Sequence, residues 1–277
     1  MKREKMPIVL IIIFIVGAII LTYPFISQYW NSKVQSRAIV DYDEMLKNIK
    51  VEDYTNMFSD SDKYNQELSK LSFPLVEYKK LKGYNDLLNI NKNGMIGYIT
   101  IDKIGVQLPI YHGINSAVLN TSVGHMEGSS LPVGGESTHS VLSAHSGLPS
   151  AKLFTNLHKL EAGDNFVITV LDRQFTYQVE EIMIVKPNDV SNLEIVPLKD
   201  YVTLITCTPY GINTHRLLVR GTRIENVLEK VIIISRDAYK IDKTLVSLFI
   251  AIPILILLII YAVVKPVKKR LDVEDLC

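Results

Sequence analysis

Two stretches of this chain carry no charge, and they stand at its two ends. Met6 to Ser32 holds no Asp, Glu, Lys or Arg, and its first part, Pro7 to Tyr23, is almost purely aliphatic. Thr244 to Val264 is a second uncharged run, of 21 residues. As helices both can cross a hydrocarbon core of about 30 Å. Leu, Ile and Val occur all around the second run, unlike the one-sided stripe of a core helix. Lys265, Lys268, Lys269 and Arg270 follow it at once. The first run is longer than the apolar core of a secretory signal, and no small-x-small cleavage site follows it. The reading is an uncleaved anchor. Lys2, Arg3 and Lys5 precede that run, so the positive-inside rule puts both termini in the cytoplasm and the residues between the spans outside.

The formal net charge is only +1, with 30 Lys+Arg against 29 Asp+Glu, which argues against a nucleic-acid partner. There are two cysteines, Cys207 and Cys277. In this topology they lie on opposite sides of the membrane and cannot pair. A single thiol in an exported domain is exposed to oxidation. The bland fate of such a residue is a buried, inert side chain; its surroundings point elsewhere.

Tyr201 to Thr206 is a short apolar, β-branched run that reads as a buried strand. It stops at Cys207, where Thr208-Pro209-Tyr210-Gly211 makes a turn. A second strand resumes at Arg216 with Leu217, Leu218 and Val219. A nucleophile on a strand end is held more firmly than one on a free loop. His145 repeats this placement: Ser140 to Ala144 reads as a strand, and Ser146-Gly-Leu-Pro149 turns away after it. A thiol with an ordinary pKa of about 8.5 is little ionised at neutral pH, and an imidazole could take its proton and return one to a leaving amine. Arg216 stays protonated, so its role would be electrostatic, at an oxyanion or at substrate carbonyls; the bland alternative is a surface ion pair. Arg220, four residues on, has nothing to aim it at the thiol. Thr206 is a weaker candidate, for orienting substrate or thiol, and a buried strand threonine explains it equally well. Asp172 and Glu180 are the remaining third-member options and are not favoured.

The stretch from Thr203 to Gly221 resembles the signature of the sortases, the membrane-anchored cysteine transpeptidases of Gram-positive bacteria. Their pattern, T-L-x-T-C with an Arg nine residues later, is met by Thr203, Leu204, Thr206, Cys207 and Arg216. The longer run T-C-T-P-Y-G-x-N-x-H-R-L-L-V-R-G is similar to the class C, pilus-building branch. Further landmarks stand in family order: Pro109-Ile-Tyr-His-Gly113, Leu131-Pro-Val-Gly-Gly135, His139 to Pro149, and Leu160-Glu-Ala-Gly-Asp164. His145 falls on the family's catalytic position, with Ser146 where relatives carry Arg or Thr. His112, His125 and His215 do not.

The resemblance implies that Cys207, His145 and Arg216 are catalytic. Cys207 would attack the Thr–Gly bond of an LPXTG-like sorting motif, and a pilin lysine would resolve the thioacyl enzyme, polymerising pilus subunits. Partners would be pilins carrying motif and lysine, and the membrane, with no nucleic acid. No cofactor and no metal ligand set is implied. Alternatives are anchoring to peptidoglycan, hydrolysis, or a non-catalytic tethered β-barrel that binds pilins or wall. An L,D-transpeptidase is disfavoured, because its Arg lies two residues after the Cys and Pro209 stands there.

The fold expected is mostly β: a sortase-like closed β-barrel with short helices, an N-terminal helical segment and two flanking transmembrane helices. Residues 1–6 are assigned to a cytoplasmic tail, 7–27 to a membrane helix and 28–93 to an extracellular helical stalk, at the place of the family's lid. Residues 94–228 are the catalytic barrel, 229–243 a linker, 244–264 a second membrane helix and 265–277 a cytoplasmic tail. In the stalk, apolar residues at helical spacing over 33–70 predict one or two amphipathic helices broken near Asn56 to Asp62. The Asp-Pro-aromatic triplet that anchors the family's lid is missing, which leaves two readings of Leu71 to Leu88 open, a lid or a plain linker. Strands are predicted over 95–101, 106–111, 139–144, 165–170 and 175–185 besides the pair around Cys207, and a short helix over 151–160.

Overall fold

In a computed structural model of the protein, residues 6–226 are described, with side chains from Ile12 onward. The second apolar run and Cys277 lie outside the described residues. The chain divides into a compact unit, Ser27–Leu228, and the remainder, whose described part is the start of the first helix. That helix, α1, runs Met6–Leu46, and its early part is long and apolar enough to cross a membrane, with a mean hydropathy of 1.8. Ile13, Ile19, Ile20 and Leu21 on it are exposed.

Eight strands follow: β1 (Met95–Ile101), β2 (Val106–His112), β3 (Val123–His125), β4 (Thr138–Ser143), β5 (Asn165–Val170), β6 (Arg173–Val185), β7 (Asp200–Thr208) and β8 (His215–Arg223). They close into a barrel in the order β1-β2-β3-β4-β7-β8-β6-β5. Most neighbours are antiparallel; β2–β3 and β4–β7 are parallel. The two-residue side-chain period divides β7 cleanly. Val202 and Leu204 enter the barrel core with Phe166, Ile168 and Val219, while Ile205 joins Val141 and Leu218 in a separate cluster on the other face.

Helix α2 (Val51–Ser69) closes the barrel with an apolar stripe of Tyr54, Phe58, Tyr64 and Leu68. Its Asn65 brackets Leu131, the side-chain amide donating to the Leu131 carbonyl (3.1 Å) and accepting from the Leu131 N–H (2.7 Å). Tyr42 of α1 is fully buried. Its hydroxyl donates to the Ile96 carbonyl (3.1 Å) and accepts from the Leu171 N–H (2.9 Å).

Three local expectations are corrected. The helical break falls at residues 47–50 and not at 56–62, where α2 runs on and the Ser61 hydroxyl donates to the Met57 carbonyl (2.8 Å). Residues 151–160 form turns and a single 3₁₀ turn, Leu157–Lys159, instead of a helix: Leu153 takes a φ of 38°, outside any right-handed helix. Leu153, Leu157 and Leu160 are nonetheless buried together. The chain between the strands predicted at 106–111 and 139–144, where no strand is expected, contains β3.

Candidate active site

The site is assembled by register. On the antiparallel pair β7–β8, Cys207 stands directly opposite Arg216. On the parallel pair β4–β7, Val141 lies beside Thr203 and Ser143 beside Ile205. The chain stays alongside one residue further, because the Ala144 N–H donates to the Ile205 carbonyl (3.1 Å) and the Thr206 hydroxyl to the Ala144 carbonyl (2.8 Å). The next residue is His145, at the level of Cys207. Base candidate, thiol and guanidinium therefore arrive on three adjacent strands, with the thiol in the middle.

Each member is held by its neighbours. The His145 carbonyl accepts from the N–H of Phe154, a fully buried residue (3.1 Å). The Gly147 N–H donates to the Thr155 hydroxyl (3.0 Å). Gly147 has a φ of 79°, and a Cβ there would stand 3.0 Å from the Tyr210 ring. The loop after His145 thus packs on the turn after Cys207. The Arg216 guanidinium donates to the carbonyls of Asn213 (3.2 Å) and His215 (3.0 Å), which holds the head of the side chain at that turn. Cys207, His145 and Arg216 are all half-buried, within reach of a ligand. Thr206 is 4% exposed, and its hydroxyl is engaged with Ala144.

The other histidines serve the interior. His125 is fully buried, donating to the Ser130 carbonyl (2.8 Å) and bonded to the Tyr84 hydroxyl (2.8 Å), and burial pushes its pKa down to about 4. His139 bridges the Glu194 carbonyl (2.7 Å) and the Thr203 hydroxyl (2.8 Å), and burial pushes it down to about 4 as well. His112 is held low by burial. His215 faces Thr208 across the ladder and bonds Thr214 (3.0 Å). Arg220 lies over the Tyr201 ring, 4.8 Å to its centroid, and pairs with Glu181. Asp172 is in the β5–β6 turn, a whole strand away from the β6 end at Val185 that reaches Arg216. Glu180 sits at a β-bulge. Neither meets the thiol. Among the described residues no group of three or more His, Cys, Asp or Glu could hold a metal ion.

Sequence reasoning missed Leu75. It lies in the short helix α3 (Pro74–Glu77) and packs against the cluster of Val141, Leu193, Ile205 and Leu218. Ile205 is two residues before Cys207 and Leu218 two after Arg216, so Leu75 lies on the sheet face that carries the site. Gly128 makes room for it: a Cβ there would stand 2.9 Å from the Leu75 Cα. The plain-linker reading is thereby corrected. The segment is a packed strap: Leu75 joins that cluster, and Tyr78, 3.0 Å from where a Cβ on Gly128 would stand, packs against the barrel core.

The Sortase domain family model matches residues 99–224. The chain is 47% identical to sortase C1 from Streptococcus agalactiae, covering 69% of this chain and 100% of that one with a TM-score of 0.63. The chain belongs to the sortase family. Its likeness to solved class C members places it in that branch; one of them, sortase C from Clostridium perfringens with the C-terminal cell wall sorting motif, is 43% identical over 69% of this sortase and all of that chain, with a TM-score of 0.60. Among curated relatives, Sortase A of Streptococcus agalactiae is 32% identical over 130 residues, 46% of this sortase. The match spans only 52% of that relative's own length.

Proposed function

We propose that this sortase is a membrane-anchored cysteine transpeptidase that cleaves an LPXTG-like sorting motif and joins the acyl fragment to a pilin lysine. The observation that carries the proposal is the cross-strand pairing of Cys207 with Arg216, with His145 arriving on the other side of the thiol. Cys207 passes its thiol proton to His145 as Sγ attacks the Thr carbonyl carbon, and the Arg216 guanidinium balances the oxyanion. His145 gives a proton to the departing Gly nitrogen, leaving a thioester on Cys207. The ε-amine of a pilin lysine attacks that carbonyl, its proton passes to His145, and the thiolate leaves as an isopeptide bond forms. Thr206 orients the thiol by tying β7 to the end of β4. Leu75 packs on the apolar face of Val141, Ile205 and Leu218, which an apolar motif residue could take in its place, and the relative solved with a cell wall sorting motif supports a substrate of this class.

The same reading places the catalytic domain outside the cell, on a chain whose first and second apolar runs both span the membrane with the termini inside. The apolar first part of α1 supports the first span.

The test is intact mass of the full chain in detergent, mixed with an LPXTG-type peptide, then with a pilin bearing its acceptor lysine. Wild type should gain an acyl adduct that passes to the pilin. Cys207→Ala should gain none, and Arg216→Ala should acylate slower by about 10²-fold or more, as for loss of an oxyanion donor. An adduct that only hydrolyses, or that passes to a peptidoglycan amine and not to pilin, would reject the polymerase reading. An unreactive Cys207 thiol would reject the enzyme.

A further inference from the structure

The loop that follows His145 is held from an unexpected side. Two amides on α1 reach it: Gln28 Nε2 donates to the Pro149 carbonyl (3.1 Å) and Asn31 Nδ2 to the Ser150 carbonyl (2.8 Å). They stand three residues apart on one helix, hence on one face. The same stripe continues at Gln35, whose amide donates to the Thr121 carbonyl (2.6 Å). All of these contacts lie within the compact unit that contains the barrel.

The loop is fixed at both ends and at Leu148. Ala144 is bonded to Ile205, Ala151 is 2% exposed in the core cluster, and Leu148 packs against that cluster. Gly147, at a φ of 79°, is the flexible position nearest His145. Among the described residues, the hydrogen bonds that reach 146–150 from beyond residues 145–155 both come from α1. A loop pinned at two consecutive carbonyls cannot pivot about His145. Without those bonds the backbone at 149–150 can shift and carry the chain after His145 with it, and near-attack geometry is lost within about 1 Å of displacement.

We infer that Gln28 and Asn31 are positioning residues for His145, so that the first turns of α1 beyond the apolar run complete the active site. The inference rests on the proposed roles of His145 and Cys207. It implies that a catalytic domain cut free of these turns keeps its fold but has a poorly placed base.

The test uses the full chain in detergent and the double variant Gln28→Glu/Asn31→Asp, which keeps the side-chain shapes and removes both N–H donors. Two quantities are read: the rate of acylation by an LPXTG-type peptide, and the pH profile of Cys207 alkylation by iodoacetamide, with His145→Ala as reference. Acylation of the double variant should fall by about tenfold to a hundredfold. Its alkylation profile should move at least halfway toward that of His145→Ala, while its melting temperature stays that of wild type. If His145→Ala shifts the profile and the double variant does not, the inference is wrong although the site reading stands. A fall in acylation matched by a lower melting temperature, with no shift in the profile, would mean a merely structural role and also overturn it. If His145→Ala itself leaves the profile unchanged, the pairing of base and thiol fails, and the inference with it.

Discussion

At the scale of single residues, the geometry around Cys207 and His145 rests on the side chains that tie their strands and loops together. Thr206 → Val removes the donor to the Ala144 carbonyl and leaves that carbonyl unpaired. We expect a stability loss of about 1–3 kcal/mol in chemical denaturation. Acylation should fall further than the unfolded fraction explains, since the bond is the last tie of β4 to β7 before His145. Unchanged acylation in a folded Thr206→Val protein would remove it from the positioning role. Gly147 supplies a second case. Gly147→Ala puts a methyl 3.0 Å from the Tyr210 ring at a backbone φ of 79°, and both strain and contact disfavour it. Gly147→Ala should slow acylation, and adding Tyr210→Ala should restore part of the rate, because the contact goes while the φ cost stays. A double variant no faster than Gly147→Ala alone would assign the whole effect to backbone strain.

At the scale of elements, the strap is the part with a measurable opening. Leu75 holds α3 to the apolar face of Ile205, Val141 and Leu218. Leu75→Ala should weaken that hold by about 1–2 kcal/mol and lower the KM for a sorting peptide several-fold, with kcat little changed. A KM that stays put would mean that peptide and strap do not compete for that face. The strap also marks where the sequence stops being readable. The strands around Cys207 and the β5–β6 hairpin were legible, because their alternation and turn residues are local signals. That His145 stands at a strand's end was legible locally, but its assignment as base, like that of Arg216, rests on the resemblance to the sortases and not on a local signal. The seating of Leu75 was not legible, since nothing local in Phe73-Pro-Leu-Val says which distant face it will meet. β3 hid for a related reason: three residues containing Gly124, paired in parallel to β2, carry no periodicity. Gln28 and Asn31 gave no signal either; polar residues near an apolar run look like a membrane flank until their partners, about 120 residues away, are seen.

At the scale of the whole molecule, the barrel carries three buried histidines, His112, His125 and His139, each held low by burial, and they tie its stability to pH. His125 and His139 are each fully buried, and burial pushes each pKa down to about 4 from an unfolded value near 6.5. Between those values the unfolded chain binds protons that the folded chain does not, so unfolding becomes easier as pH falls. The contribution is fully present above about pH 6.5 and is lost progressively down to about 4, at no more than about 1.4 kcal/mol per pH unit for each histidine. Asp200 works against this at the acid end, because burial raises its carboxyl pKa and its protonation favours the folded state. The loss should therefore be steepest in the upper part of the window. Urea denaturation of the purified chain at pH 7.5, 6.5, 5.5 and 4.5 would trace it. His139→Gln, which can donate to the Glu194 carbonyl and accept from the Thr203 hydroxyl, should flatten the slope by less than half, since His125 and His112 also contribute. A slope that His139→Gln leaves unchanged would mean that His139 takes no part in it, and would place the acid sensitivity of the fold elsewhere.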